Sequence, residues 1–283
     1  MNGVLLGGLY ACMAMGFSLN WGVMNIINLA HGSMIVLGAY ITYFMTTDLG
    51  VDPFLTIAVS GPALFVLGYF LQRYLINRVV ATSVFLTLIL TFGLDMILTN
   101  AQIAAFSADV RSVNPPYSGD GFTIAGIQLP YTRVAVFVIA IAMTVALALF
   151  LKRTRTGNAI EATSFDVDAA QLVGVDTPKI YAKTFGISAA LAGVAGSLIA
   201  VVFTFSPASS VAFTTKSFVV VILGGLGSVP GAIAGGVLLG VTENVSSLAF
   251  DPGYRNAIGF VLVLVVLVWL RRGIFGKPFY AEI

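Results

Sequence analysis

Residues 83–103 read Ser83-Val84-Phe85-Leu86-Thr87-Leu88-Ile89-Leu90-Thr91-Phe92-Gly93-Leu94-Asp95-Met96-Ile97-Leu98-Thr99-Asn100-Ala101-Gln102-Ile103. A helix needs about 20 mostly apolar residues to cross the hydrocarbon core of a bilayer, and this run meets that length. It holds one acid, Asp95. An acid at the bilayer centre costs on the order of 3 kcal/mol on insertion scales, so Asp95 must face a partner helix or water. Ser83, Thr87, Thr91, Asp95 and Thr99 are each four residues apart. Such a row drifts about 40° per step on a helix and forms a slanted polar stripe. Two readings follow: one wall of a transport pathway, or an interhelical hydrogen-bond network.

The rest of the chain has the same character. Of its 283 residues, 58% are hydrophobic and only 9% charged. Soluble domains carry roughly a quarter charged residues. A soluble fold of this length leaves much of its surface in water and cannot hide so much apolar area. Soluble enzymes, disordered chains and nucleic-acid binders are therefore set aside, and the solvent is membrane lipid. Apolar runs fall at residues 4–20, 30–47, 54–72, 83–103, 131–151, 184–206, 216–228, 229–249 and 256–271. The second and seventh are short. The expected fold is all-α, a polytopic transmembrane bundle with discontinuous or short helices and about seven to nine membrane segments. The whole chain reads as one transmembrane domain, with a turn-rich loop at 104–130 and a charged loop at 152–183.

Basic residues give orientation. With the loops after the third, fifth and ninth spans on the cytoplasmic side, that side holds Arg73, Arg78, Lys152, Arg153, Arg155, Lys179, Lys183, Arg271, Arg272 and Lys277. Arg111, Arg133, Lys216 and Arg255 fall outside. The N-terminus is then expected outside and the C-terminus in the cytoplasm. The stretch Leu9-Tyr10-Ala11-Cys12 follows no basic residue, so the first segment reads as a retained membrane helix rather than a cleaved leader. Cys12 has no second cysteine to pair with.

Polar residues elsewhere mark helix interruptions. Asn20-Trp21-Gly22 and the stretch from Asn25 through Asn28 to His31 and Gly32 should break a helix, because Asn side chains compete for backbone hydrogen bonds. A second break is expected at 224–231, where glycines flank Pro230. These two breaks do not occupy matching places in two halves, and no internal repeat is evident. Gly227, Gly231 and Gly235 lie four apart, as do Ala232, Gly236 and Gly240, a spacing that lets helix backbones approach. Glu243 and Asn244 form a further polar pair near the outer interface. Candidate pathway residues are thus Asn20, Asn25, Asn28, His31, Thr87, Thr91, Asp95, Glu243 and Asn244. A lone histidine makes no metal site. No phosphate loop, nucleophile elbow or zinc-protease motif occurs, so catalysis within this chain is not expected.

The charged loop contains a short helix signal. Asp166 can cap a helix running to Leu172, with Gly174 as its stop. Val167, Ala170 and Val173 would share a face, with Asp168 and Gln171 off it. A short amphipathic helix here suits docking of another protein.

Taken together, Asn20-Trp21-Gly22-Val23-Met24-Asn25-Ile26-Ile27-Asn28-Leu29-Ala30-His31-Gly32, Leu37-Gly38-Ala39-Tyr40, Arg153-Thr154-Arg155-Thr156-Gly157, Ala169-Ala170-Gln171-Leu172-Val173-Gly174-Val175 and the glycine segment 224–236 are recognisable. The chain resembles, over nearly its whole length, the LivH-type permeases of bacterial branched-chain amino acid ABC importers. The resemblance implies a multi-pass protein of the bacterial inner membrane, paired in a heterodimer with a second, related permease subunit. It implies two cytoplasmic ATPase subunits, which hold the ATP and Mg; this chain itself carries no cofactor. An extracytoplasmic substrate-binding protein would deliver the amino-acid substrate. Glu161-Ala162-Thr163 only approximates the Glu-Ala-Ala motif of other importers, so ATPase coupling falls on residues 161–174 as a block: Glu161, Phe165, Asp166, Val167, Asp168, Ala170, Gln171, Leu172 and Gly174. Urea and short-chain amide permeases are similar and stand as an alternative substrate class. From a different class comes a proton-coupled secondary transporter that uses Asp95, Glu243 and His31 as a relay.

Overall fold

The computed structural model describes residues 2–80, 83–124, 127–249, 255–270 and 273–275. In chain order the elements are α1 (Asn2–Met24), α2 (His31–Leu49), α3 (Ile57–Tyr74), α4 (Val84–Phe106), a hairpin of β1 (Gly121–Ile124) and β2 (Ile127–Pro130), then α5 (Tyr131–Arg153), α6 (Arg155–Phe165), α7 (Val167–Leu172), α8 (Thr177–Val202), α9 (Ser210–Gly224), α10 (Val229–Ala249) and α11 (Arg255–Trp269). The fold is a polytopic helical membrane bundle. Among the described residues, six helical stretches are long and apolar enough to cross a bilayer: Asn2–Met24, Ile57–Arg78, Val84–Phe106, Tyr131–Arg153, Thr177–Val202 and Pro207–Gly224. Helices α2, α10 and α11 pack among them. The loop at 104–130, read from its turns, also carries the small antiparallel hairpin, with Gly121 opposite Pro130.

Two ends of the bundle can be told apart. Gly22 of α1 rests on Gly227, and this region shares a cavity with Leu151, Lys152, Glu161 and Phe275. That end carries the charged segment 152–176. At the other end Gly3 lies against Gly240 of α10, and Leu5 and Leu6 meet Arg133 and Val202. There Tyr117 donates to Asp52 (2.7 Å), and Arg111 pairs its backbone with Phe205. The start of α1 and the exit of α11 thus lie at opposite ends, as the sequence led one to expect. Arg271, Arg272 and Lys277, which the sequence placed at the charged end, lie outside the described residues.

The spans differ from expectation in three places. The stretch Asn20-Trp21-Gly22 stays helical, and the interruption is confined to residues 25–30, where α1 turns off at Asn25 in the left-handed region (φ 52°). Asparagine tolerates this conformation because its short amide can bond locally. The run 184–206 is not followed by a simple loop: residues 203–209 re-enter the bundle through a short turn at Pro207–Ser209, and α9 starts at Ser210 rather than 216. Lys216, expected on the outer side at the start of a span, therefore lies within α9. The break expected at 224–231 narrows to residues 225–228, where Gly225 (φ 100°) and Gly227 (φ 78°) make the turn, while Pro230 sits harmlessly in the first turn of α10.

These corrections reveal a repeat that the sequence hid. Helices α1–α4 and α8–α11 each comprise a long buried helix, a break, a helix beginning inside the bundle and two further helices, run in opposite directions. The packing matches: α1 lies along α10 as α8 lies along α3, α9 leans on α1 as α2 leans on α8, and α11 lies against α9 as α4 lies against α2. Inverted repeats of this kind define many transport proteins.

Close backbone approach holds the core. A Cβ on Gly196 would overlap the carbonyl of Ile35, and one on Gly7 would meet Val237 at 2.5 Å. In lipid, dispersion and close packing drive association between helices, so such contacts cannot be spared. Gly196→Ala should therefore lower the detergent melting temperature by several degrees and reduce the monodisperse fraction. Gly93→Ala, where nothing lies within 4 Å, should leave both unchanged or slightly improved.

Candidate functional site: the junction of two interrupted helices

The two breaks meet midway through the bundle. The depth follows from His31, the first residue of α2, whose Nε2–H donates to the carbonyl of Met13 (2.8 Å), at the middle of α1. A Cβ added to Gly32 would overlap the Ser210 carbonyl, so the starts of α2 and α9 touch. Unwound backbone at this depth has no water to satisfy it, and side chains must do so. Thr91 of α4 donates to the Ile27 carbonyl (3.0 Å) and accepts from the Leu29 N–H (3.3 Å). Thr214 of α9 accepts from the Gly32 N–H (2.8 Å) and donates to the Leu29 carbonyl (3.2 Å). Asn28 takes the Ala30 N–H on its Oδ1 (3.1 Å), and Gln102 donates to the Ser33 carbonyl (2.8 Å).

Part of the α4 stripe forms the interhelical hydrogen-bond network that the sequence offered as one reading. Thr87, Thr91, Asp95 and Gln102 are buried, whereas Phe85, Ile89, Phe92, Met96 and Ile97 on the same helix are exposed. Thr91 and Gln102 form the interhelical network. Thr87 bonds within its own helix, to Val84. Asp95 lies beside the Ser33 hydroxyl, and its Oδ1 has no protein partner. Asn28 Nδ2, His31 Nδ1 and Gln102 Oε1 are likewise buried and unpartnered. Buried polar atoms without partners are rare in native folds and mark places that water or a ligand can serve. The junction is thus a polar centre of spare donors and acceptors inside an apolar bundle.

Other sequence candidates lie away from it. Asn20 is buried on α1 with both amide atoms unpartnered, towards the charged end. Asn25 is exposed and serves as the turn residue. Glu243 is buried in α10, where it binds Lys216 (3.2 Å) and accepts from the Tyr10 hydroxyl (2.6 Å). Lys216 also lies over the Tyr10 ring at 4.6 Å. This cluster joins α1, α9 and α10, and the charge of Glu243 is matched within it. Asn244 borders Gly3 on the same helix pair. Sequence reasoning missed Thr214, Ser33 and Gln102. Gln102 extended the stripe it had found by three residues; Thr214 carried no signal, because α9 had been read from residue 216.

At the charged end, α5 closes on Lys152 and Arg153, cations placed well for a helix C-terminus. Thr154 caps α6 (2.9 Å to the Gly157 N–H). Asp166 caps α7 by accepting from Asp168 and Ala169, and Gly174 (φ 87°) ends that turn, as expected. Ala170 packs inward and Gln171 donates to Thr177 (3.0 Å). Val173 does not join the face of Ala170: it is 80% exposed, because the helix ends at Leu172 and the chain turns outward. Phe165 and Leu172 are exposed too, as are Glu161, Asp166 and Asp168 on the same two helices and their cap. Below this, Asp176 caps α8 and pairs with Lys179 (2.6 Å); that hydrogen bond holds its carboxyl below the usual range.

A bundle with an inverted repeat, interrupted helices meeting at mid-depth and an exposed knob at one end defines a polytopic transport protein. The sequence comparisons agree. The model of the family described as "Branched-chain amino acid transport system / permease component" matches residues 1–268, and the chain belongs to that family. It is a transport subunit and not an enzyme. Among its relatives, the high-affinity branched-chain amino acid transport system permease protein BraD of Pseudomonas aeruginosa is 30% identical, with 98% of this chain and 95% of that protein covered. The permease protein LivH of Escherichia coli (strain K12) is 30% identical, with 98% and 94% covered. The permease protein LivM of Salmonella typhimurium is 27% identical, covering 94% of this chain and 67% of its own length. No solved structure matches the chain significantly.

Removing either threonine of the junction should strand backbone groups. Thr214→Val and Thr91→Val should each destabilise by about 1–3 kcal/mol, the usual range for an orphaned buried partner. Thr215→Val, which loses only a bond to Val211 within its own helix, should cost far less in the same thermal-unfolding assay.

Proposed function

We propose that this chain is one of two permease subunits of an ATP-driven importer of branched-chain and other apolar amino acids. The observation that carries this reading is the junction: two broken helices, one from each inverted repeat, meet at mid-depth and leave polar atoms of Asn28, His31, Asp95 and Gln102 without protein partners. A zwitterion crossing a bilayer needs a few such groups on an otherwise apolar route. The names of the LivH and LivM relatives favour a related but distinct partner subunit, with solute passing between the two past Asn28 and Asp95. The charged end faces the cytoplasm of the inner membrane, where its basic residues belong, which puts the start of α1 outside. One of two ATPases docks over Phe165 and Leu172 of this subunit, and the other docks on the equivalent loop of the partner subunit. The ATPase subunits hold the ATP and Mg, and a binding protein delivers solute at the hairpin end. Closure of the ATPases moves α7, and through α6 the bundle, between outward and inward states. Such coupling requires that both partners bias one bistable element.

A proton relay fits the geometry less well. His31 spends its Nε2 proton on a backbone carbonyl, and Glu243 is neutralised by Lys216. A pH gradient alone should drive no uptake in liposomes.

Asp166→Lys combined with Leu172→Glu removes the cap and the exposed apolar contact of α7. The double variant should insert normally, retain ATPase activity in the assembled complex and lose at least about tenfold in substrate uptake. Uptake at the unaltered rate would remove α7 from the mechanism.

A further inference from the structure

The cavity at the charged end has a volume of about 300 Å³. It is distinct from the junction. Its walls come from α1, the end of α5, α6 and the start of α10, with Phe275 at one side. Four features describe what it can hold. Ser18 lines it, is 1% exposed, and its hydroxyl has no protein partner. The first turn of the 21-residue helix α10 borders it with no acidic residue to compensate the helix dipole. In that turn Pro230 has no N–H, and the Gly231 N–H is taken by the Ser228 hydroxyl (3.1 Å), so α10 acts through its positive field more than through free donors. Lys152 and Glu161 then supply one charge of each sign. Leu19, Ile160 and Phe275 provide apolar wall.

An anion alone would be repelled by Glu161, and a cation alone by Lys152 and α10. A ligand with an anionic group, a cationic group close by and an apolar body satisfies all the walls together. We propose that this cavity binds a zwitterionic amino acid with an apolar side chain from the cytoplasmic side, and that occupancy slows import. The inference rests on the permease reading above and adds a regulatory site to it. The carboxylate lies toward α10 and Lys152, with the Ser18 hydroxyl donating to it. The ammonium lies toward Glu161. Because α6 leads directly into α7, a ligand spanning from Glu161 to α1 and α10 ties the docking helix to the bundle. A state in which α6 moves away from α10 loses that ligand, so by linkage the ligand opposes the movement.

The test uses the assembled transporter in liposomes loaded with ATP, with or without unlabelled leucine, and labelled leucine presented outside on the binding protein. Only complexes whose ATPases face the lumen turn over, so the lumen is the cytoplasmic side. Luminal leucine should slow initial uptake several-fold in the wild type. In Lys152→Gln and Ser18→Val, the luminal leucine needed for half-inhibition should rise at least about tenfold, each variant being referred to its own uptake from unloaded liposomes. Equilibrium binding of labelled leucine to the complex in nanodiscs, without ATP or binding protein, should weaken in parallel, and this readout survives if a variant transports poorly. Uptake indifferent to luminal leucine in the wild type, or equal inhibition in all three proteins, overturns the proposal. Relief by Thr214→Val alone moves the inhibition to the junction and also overturns it, while leaving the permease reading intact. No uptake by the wild type under any loading removes both.

Discussion

The architecture turns on one constraint: backbone polar groups inside a bilayer must find partners within the protein. A continuous helix meets it automatically. This chain departs from that solution twice, at residues 25–30 and 203–209, and the helix that follows the second departure supplies Thr214 to satisfy the first. Thr91 and Thr214 bind the first break from opposite sides, and Gly32 lets α2 and α9 come close enough for Thr214 to reach. The surplus of polar atoms left at the junction is what distinguishes it from a merely repaired break.

Close packing makes the rest possible. The central helices α1 and α8 are buried for most of their length, and both are built of small residues where they meet their neighbours. Gly7 and Gly236 bring α1 onto α10; Gly68 and Ala189 bring α3 onto α8. The two contacts are equivalent in the inverted repeat. A packed core of this kind resists gradual deformation and favours discrete arrangements. The ion pair of Lys216 with Glu243 has its effect in the same core. Breaking a buried pair from one side is costly, so the pair fixes how α9 sits against α1 and α10.

The charged end differs in kind. Its helices α6 and α7 are short, capped by polar side chains and carry the exposed apolar residues Phe165 and Leu172. Exposed apolar groups set among acids and bases indicate a protein partner more than a membrane. Gly157 keeps α6 tight against the end of α5, since any side chain there would overlap the carbonyls of Phe150 and Leu151. A displacement of α7 is therefore transmitted to a spanning helix with little slack.

The sequence alone determined the membrane-bound, helical class of the protein, most spans to within a few residues, the polar stripe on α4 and the capped helix at Asp166–Gly174. These follow from composition, from runs of apolar length and from local capping chemistry, all of which act between near neighbours in the chain. Only the tertiary structure decided that 203–209 re-enters the bundle, that the halves form an inverted repeat, that Lys216 neutralises Glu243, and that Thr214 and Gln102 complete the junction. Each of these depends on contacts between residues far apart in sequence. In an apolar chain a turn inside the protein and a turn at its surface use the same residues, so depth is set by packing and not by local pattern.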